Sequence, residues 1–211
     1  MRLSTGLTDV DRALGGGLQP GSIVALVAPP DAQSLPLLCA HVHLRPTLYF
    51  TTLRTAASIE RQLDQQGRAP RLKRVEHVDL DVALETITGG LEDLEDGDDL
   101  VVDVVDPIEQ TATMPEYVRF LNSISDRLSA VGGVAMLHCL ESRTADDSIN
   151  RELTLGVADH VWRLNPRRTG TRSLDYYLEI PKASGVKLTD ESRVLELDIG
   201  ATVDVDDTRD S

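Results

Sequence analysis

The chain has 211 residues, a length that suits one α/β domain. Its 35 Asp and Glu residues outnumber 21 Lys and Arg residues, and this excess disfavours a dedicated nucleic-acid binder. The isolated cysteines Cys39 and Cys139 argue against a disulfide framework or a structural zinc site. No apolar run reaches the roughly 18 residues of a membrane span, so the sequence predicts a cytoplasmic protein without a membrane partner. We also predict no bound metal.

The balance of charged residues is typical of proteins adapted to a salt-rich cytosol. The net charge is -14, almost all basic residues are arginine, and aromatic residues make up only 3% of the chain. A dense carboxylate surface holds water and repels neighbouring molecules, while molar salt screens the self-repulsion over a few ångströms. An acidic protein from an ordinary cytosol, with an acidic partner-binding face, is the alternative.

The first half of the chain alternates strands and helices. Glycines and prolines separate its apolar runs, and helical spacing of apolar residues distinguishes helices from strands. The predicted elements are a helix at 7–14, a strand at 22–27, a loop at 28–34, a helix at 35–42, a strand at 48–52 and a helix at 56–66.

The second half continues this alternation and then changes to short alternating strands. The predicted elements are strands at 71–78, 100–106 and 134–140, helices at 82–94 and 117–130, and final strands at 160–164, 175–180 and 193–199. The sequence therefore predicts an α/β fold with a mainly parallel β-sheet, flanked by helices and extended by antiparallel C-terminal strands. We expect residues 1–200 to form a single domain and residues 201–211 to form a disordered acidic tail.

A strand, a loop that opens with Pro29 and Pro30, a helix and a later valine-rich strand form the scaffold of a P-loop nucleotide site. The chain resembles the KaiC-like branch of the RecA/RadA superfamily of P-loop ATPases across roughly residues 3–190. This resemblance implies a RecA-like fold. The segments that carry it arrive in the family's order and include Ser4-Thr5-Gly6-Leu7, Gly15-Gly16-Gly17, Tyr49-Phe50-Thr51, Val101-Val102-Asp103, Ala158-Asp159-His160 and Lys182-Ala183-Ser184-Gly185.

The phosphate-binding loop departs from that family. Its Walker A pattern supplies glycines that open the backbone to phosphates, a lysine for the β- and γ-phosphates and a hydroxyl for magnesium. Here Ala28, Gln33, Ser34 and Leu35 occupy the four diagnostic positions. We therefore predict no catalytic residue and no cofactor, with ATP-Mg as the alternative. The whole degenerate loop consists of Ala28, Pro29, Pro30, Asp31, Ala32, Gln33, Ser34 and Leu35.

The carboxylates of the family's site are only partly retained. Leu53 and Arg54 replace the paired glutamates, one of which orients the attacking water in KaiC-like proteins. Asp103 keeps the position of the Walker B carboxylate that supports magnesium. The alternative is that Asp103 only caps the turn that follows its strand.

Three other features allow both a functional and a structural interpretation. Lys182 matches a basic residue that reaches a neighbouring subunit's nucleotide in the family, or it serves an interface or the surface. His138 occupies a region that holds a polar sensor in related proteins, or it is a satisfied buried histidine. An arginine cluster on the predicted hairpin of the strands at 160–164 and 175–180 contacts nucleic acid or lies in a solvated turn, and its members are Arg163, Arg167, Arg168 and Arg172.

These features favour a non-catalytic pseudo-ATPase with a regulatory or scaffolding role. The resemblance implies a homo-oligomer, or pairing with an active RecA/KaiC-like paralogue. One alternative is slow ATP turnover through Asp31, Gln33, Ser34 and Asp103. Another is an accessory protein of DNA recombination or repair that contacts single-stranded DNA beside a RecA-like recombinase.

Overall fold

The computed structural model describes residues 1–65, 69–141, 148–169, 173–190 and 192–197. The expected tail at 201–211 lies outside these ranges. Short 3-10 turns at Leu80–Val82 and Leu91–Asp93 flank α4. The helices and strands, in chain order, are α1 Thr8–Ala13, β1 Ile23–Ala28, α2 Leu35–Val42, β2 Thr47–Thr51, α3 Ala56–Asp64, β3 Leu72–His77, α4 Ala83–Gly90, β4 Asp99–Asp103, α5 Asp106–Thr111, α6 Met114–Val131, β5 Ala135–Leu140, α7 Ile149–Val157, β6 His160–Thr169, β7 Ser173–Ala183 and β8 Val194–Leu197.

The strands of the described ranges form one mixed sheet in the order β3-β2-β4-β5-β1-β6-β7-β8. The pairs from β3 to β6 are parallel, and β7 and β8 are added in antiparallel fashion. The predicted mainly parallel sheet with antiparallel C-terminal strands is therefore confirmed. Strand β6 belongs to both parts, because it runs parallel to β1 and antiparallel to β7.

Helices cover both faces of the sheet, which explains why its central strands are apolar on both sides. In β1, Ile23 and Ala25 face a core formed with α4, α6 and α7, whereas Val24 and Leu26 face a core formed with α1, α2 and α3. We call these sides the α6 face and the α2 face. No helix in the described ranges is long and apolar enough to cross a membrane.

Local chemistry moves two predicted helix boundaries on the α6 face. Helix α6 starts at Met114, earlier than expected, because Thr113 and Glu116 form a reciprocal capping box. The helix expected at 82–94 is regular only over Ala83–Gly90. A Cβ atom at Gly90 would lie 2.5 Å from the Phe50 ring, so the close approach of α4 to the sheet requires glycine there.

The sequence did not predict α5 or α7. The buried residues of α7 are polar, namely Asn150, Arg151 and Thr154, whereas its leucines Leu153 and Leu155 are only partly buried against the core. Its first turn is capped by the Ser148 side chain, which accepts a hydrogen bond from the Arg151 amide. Tertiary hydrogen bonds, described below, add to the packing of these leucines.

Candidate nucleotide site

The loop between β1 and α2 lies at the carboxyl edge of the parallel strands, where ligands bind in open α/β sheets. A phosphate-binding loop works by aiming free backbone N-H groups at the anion. Here Pro29, Pro30 and Pro36 have no N-H group to offer. The Ala32 amide donates to the Pro29 carbonyl at 2.9 Å, and the Ser34 amide donates to the Ala32 carbonyl at 3.1 Å. The loop thus bonds two of its amides internally, and its proline positions have none.

The start of α2 also differs from a phosphate site. Ser34 is buried and makes no side-chain capping bond, although it stands at the N-cap. Leu35 packs against the core of the α2 face at the position where a magnesium-binding hydroxyl belongs. The remaining exposed side chains of the loop include Asp31, whose carboxylate would repel a phosphate.

Asp103 ends β4 and is almost fully buried, with 5% of its surface exposed. Its Oδ2 atom accepts a hydrogen bond from the Tyr49 hydroxyl at 2.7 Å, and its Oδ1 atom lies 2.6 Å from Nδ1 of His138. The strand register brings these groups together, because Asp103 lies beside His138 in neighbouring parallel strands. Both carboxylate oxygens are therefore engaged by side chains of the sheet. The Asp103–Val104 peptide bond is cis.

The electrostatics favour an ionised Asp103. Burial by itself raises the pKa of this carboxyl, but hydrogen bonding and charge from His138, together with the Tyr49 hydroxyl, lower the pKa below its ordinary value of 3.8. A carboxylate only accepts, so Nδ1 of His138 carries the proton of this hydrogen bond. Nε2 of His138 is buried and has no partner within the described ranges. His138 is thus only half satisfied.

The end of β2 provides no carboxylate. Leu53 is 60% exposed, and the Arg54 guanidinium donates to Oε1 of Gln62 at 2.8 Å. Burial raises the pKa of Tyr49 well above its ordinary value, and Asp103 raises it further, so this phenol stays a proton donor. The structure therefore places a phenol, a carboxylate and an imidazole side by side at the end of β4.

Lys182 lies away from the loop. Its ammonium donates to the carbonyl of Leu155 at 3.1 Å and to that of Gly156 at 2.7 Å. These carbonyls belong to the last turn of α7, where a cation is favourable next to the helix C-terminus. Within a single chain, Lys182 therefore stabilises the end of α7.

Part of the arginine cluster lies on β6. The Arg167 guanidinium lies 5.0 Å from the centre of the Tyr177 ring, which β7 brings beside it. The Arg168 side chain and all of Arg172 lie outside the described part of the chain. Sequence reading missed the aromatic partner of Arg167 because the two residues meet only through the hairpin register.

A second polar cluster, which the sequence did not reveal, lies on the α6 face. The Arg151 guanidinium binds Oδ1 of Asp106 at 2.5 Å and Oε2 of Glu109 at 2.7 Å. The other Asp106 oxygen accepts from the Leu140 amide, so the cluster ties α7 to the end of β5. Burial raises the pKa of Glu109 despite the opposing charge of Arg151. The Asp106-Pro107 pair was the only sequence signal for this cluster.

Neither cluster resembles a metal centre. Across the described ranges, no group of three or more His, Cys, Asp or Glu residues could hold a metal ion. His41 lies with its Nε2 atom 3.2 Å from Oδ2 of Asp99, at the start of β4 and far from the loop.

Comparison with known proteins finds one similar solved structure, one similar DNA repair protein and one matching family. The fold is similar to that of a KaiC-like protein from Pyrococcus horikoshii, with a TM-score of 0.67, 14% identity and coverage of 93% of this chain and 99% of that one. DNA repair protein RadA from two strains of Mycobacterium tuberculosis is 24% identical over 181 residues. That match covers 83% of this chain but only 34% of RadA, so the chain spans about a third of these relatives.

These similarities show a RecA/KaiC-like fold and support a relationship to that superfamily, in agreement with the sheet order and the strand, loop and helix arrangement. A profile of a family of unknown function matches residues 2–211, which is nearly the whole chain. The protein therefore belongs to the family of unknown function DUF7125.

Proposed function

We propose that this protein is a non-catalytic RecA/KaiC-like pseudo-ATPase with a regulatory or scaffolding role. The observation that carries the proposal is the loop after β1, whose amides are bonded within the loop at Ala32 and Ser34. Its proline positions offer no amide at all. A triphosphate would meet few donors and no ammonium group in this loop.

The state of Asp103 supports the same proposal. Magnesium in a P-loop site needs a carboxylate that can hold its water ligands, and here both oxygens contact Tyr49 and His138. Phosphoryl transfer depends on positioning and charge neutralisation, so the loss of lysine, hydroxyl and glutamate should cost several orders of magnitude in rate. A protein that keeps the RecA-like fold without the residues for phosphoryl transfer is suited to binding other macromolecules.

The proposal is tested by isothermal titration of ATP-Mg into the purified protein at molar KCl. We expect no saturable heat from the native chain, whereas an active KaiC-like ATPase in the same buffer serves as the positive control. A rebuilt loop should regain nucleotide binding if the scaffold is otherwise intact. That variant combines Ala28→Gly, Pro30→Gly, Gln33→Gly, Ser34→Lys and Leu35→Thr. Micromolar binding by the native chain would contradict the proposal and favour the alternative of a weak ATPase.

The partner expected for such a protein is a second copy or an active RecA/KaiC-like paralogue. The support is the similarity to a KaiC-like fold, because RecA-like domains commonly assemble side by side. Asp103 and Lys182 are engaged within the chain, so we assign neither of them to a partner's nucleotide.

A role beside DNA is the second candidate. The similarity to a DNA repair protein and the position of Arg167 over Tyr177 favour it, whereas the net charge of -14 opposes it. Fluorescence anisotropy of labelled single-stranded DNA, titrated with the protein over a KCl series, distinguishes a DNA-binding protein from a pseudo-ATPase that does not bind DNA. We expect no saturable binding. DNA binding that is lost in Arg167→Glu and retained in the matched Arg12→Glu variant would favour the role as a DNA accessory protein over the role as a pseudo-ATPase scaffold.

A further inference from the structure

A groove on the α6 face lies between the Leu80–Val82 turn with α4 on one side and α5 with α6 on the other. It encloses about 810 Å³. Its deepest lining residues are Ala83, Ile108 and Phe120, which belong to the core of this face. The nucleotide loop packs on the opposite face of the sheet, so the groove is a separate feature of the molecule.

Apolar side chains stand at the mouth of this groove. Leu80 is 39% exposed and Val82 is 47% exposed, and the partly buried Leu84 continues the same wall. Large apolar side chains grouped beside a concave surface mark interaction sites more often than isolated ones do. A closed small-molecule site would bury its walls, whereas these side chains remain available to a larger occupant.

Acidic side chains surround the apolar wall. Asp81, Glu85 and Glu116 line the groove, and Arg119 is its single basic lining residue. The Glu116 carboxylate accepts from the Thr113 hydroxyl at 2.5 Å and from the Thr113 amide at 3.1 Å. These bonds, the hydroxyl's first, lower the pKa of Glu116, so the charge persists in mild acid. An occupant that places apolar side chains on the wall and cations on the rim would be complementary.

Charge also distinguishes between three candidate occupants of the groove, which are the chain's own last residues, a second copy of the chain and a segment of another protein. The chain's own last residues, 198–211, carry five aspartates against a single arginine, Arg209, so they would be repelled by the rim. A second copy brings a net charge of -14 to the same acidic surface. A basic segment from another protein meets neither obstacle.

We propose that this groove binds a short amphipathic segment of a partner protein, with large apolar side chains flanked by arginine or lysine. The apolar side chains cover Leu80 and Val82, and the cations approach Glu85 and Asp81. This site does not depend on nucleotide, so it stands or falls independently of the ATP titration.

The test uses a fluorescent synthetic helical peptide of leucine and arginine, titrated with the protein and followed by anisotropy at moderate KCl. A control peptide with serine in place of leucine keeps the charge, and another with glutamate in place of arginine keeps the apolar face. We expect saturable binding of the first peptide alone, because the groove needs both features. Equal binding of the serine peptide would overturn the proposal, since it would reveal only general attraction to an acidic protein.

Variants of the protein locate the site. Leu80→Ser combined with Val82→Ser should weaken peptide binding by about tenfold or more without changing the net charge. The matched control is Ile149→Ser combined with Val194→Ser, which removes other exposed apolar side chains and should leave binding unchanged. Thermal unfolding of each variant checks that it remains folded.

Charge variants give an independent readout in case a serine variant is unfolded. Glu85→Lys on the rim should weaken binding more than Glu60→Lys on α3, although both change the net charge equally. Equal losses for the rim and control variants would overturn the proposal. So would self-association that depends on Leu80 and Val82 without peptide binding, because the groove would then join copies of this chain.

Discussion

At the scale of single residues, Asp103 is bonded entirely within the sheet. It is the last residue of β4. Tyr49 and His138 approach the two oxygens at 2.7 and 2.6 Å and leave the carboxylate fully bonded inside the protein. The residue therefore contributes to the stability of the sheet edge.

Asp103→Asn should destabilise the fold by about 1–3 kcal/mol near neutral pH, because a buried, bonded charge is lost. The folded pKa of Asp103 lies below its ordinary value, so its stabilisation is present above that ordinary value and disappears as pH falls through the folded pKa. The difference in the free energy of unfolding between the native and variant proteins should thus be constant near neutral pH and shrink in acid below about pH 4. Urea unfolding across pH measures it.

The exposed Asp81→Asn variant is the control, and its effect should stay within about 0.5 kcal/mol. A difference for Asp103→Asn that widens in acid, or that equals the Asp81→Asn effect, would show that the carboxylate is not stabilised by its neighbours.

At the scale of elements, α7 is held by a buried ionic network in addition to the packing of Leu153 and Leu155. Arg151 joins Asp106 at the start of α5 to Glu109 within it, and its Nη1 atom donates to the Leu140 carbonyl at 2.9 Å. On the other side, Lys182 binds the last carbonyls of α7. Helix, strand ends and hairpin are therefore held together by charged groups, of which Arg151 and Glu109 are buried.

Arg151→Met should cost about 3–5 kcal/mol, since it leaves the buried carboxylates of Asp106 and Glu109 without a counter-charge. Adding Glu109→Gln should restore part of this loss, because one unpaired charge is then removed. Urea unfolding at fixed KCl measures both variants, with the exposed Arg119→Met as the control. A loss below about 1 kcal/mol for Arg151→Met would mean that α7 is held by its apolar contacts alone.

At the scale of the whole molecule, apolar burial stabilises the compact fold and the net negative charge opposes it. The sheet is buried on both faces by apolar side chains, whereas the net charge of -14 opposes compaction. The Debye length falls from about 10 Å at 0.1 M salt to about 3 Å at 1 M, so salt removes most of this self-repulsion.

The thermal unfolding midpoint should therefore rise as KCl increases towards about 1 M. Calorimetry or circular dichroism over a KCl series measures this dependence, and an equal series of an uncharged osmolyte controls for general exclusion effects. A midpoint that falls or stays constant with KCl would contradict adaptation to a salt-rich cytosol.

Sequence alone determined the parts of this protein that depend on local pattern. Apolar runs and glycine punctuation predicted the α/β fold with its antiparallel C-terminal strands, which the structure confirms. The degenerate phosphate loop at Ala28, Ser34 and Leu35 stays a prediction from the sequence. Asp103 was singled out through the resemblance, whereas the strand predicted over 100–106 ends three residues earlier, at Asp103.

Only the tertiary structure decided what these residues contact. Tyr49 and His138 reach Asp103 through strand register, and Arg151 reaches Asp106 and Glu109 across the chain. Helix α7 and the acidic apolar groove also depend on elements far apart in sequence. Local periodicity records which side of an element is buried, whereas partners across a sheet are fixed by packing and register, which no single segment encodes.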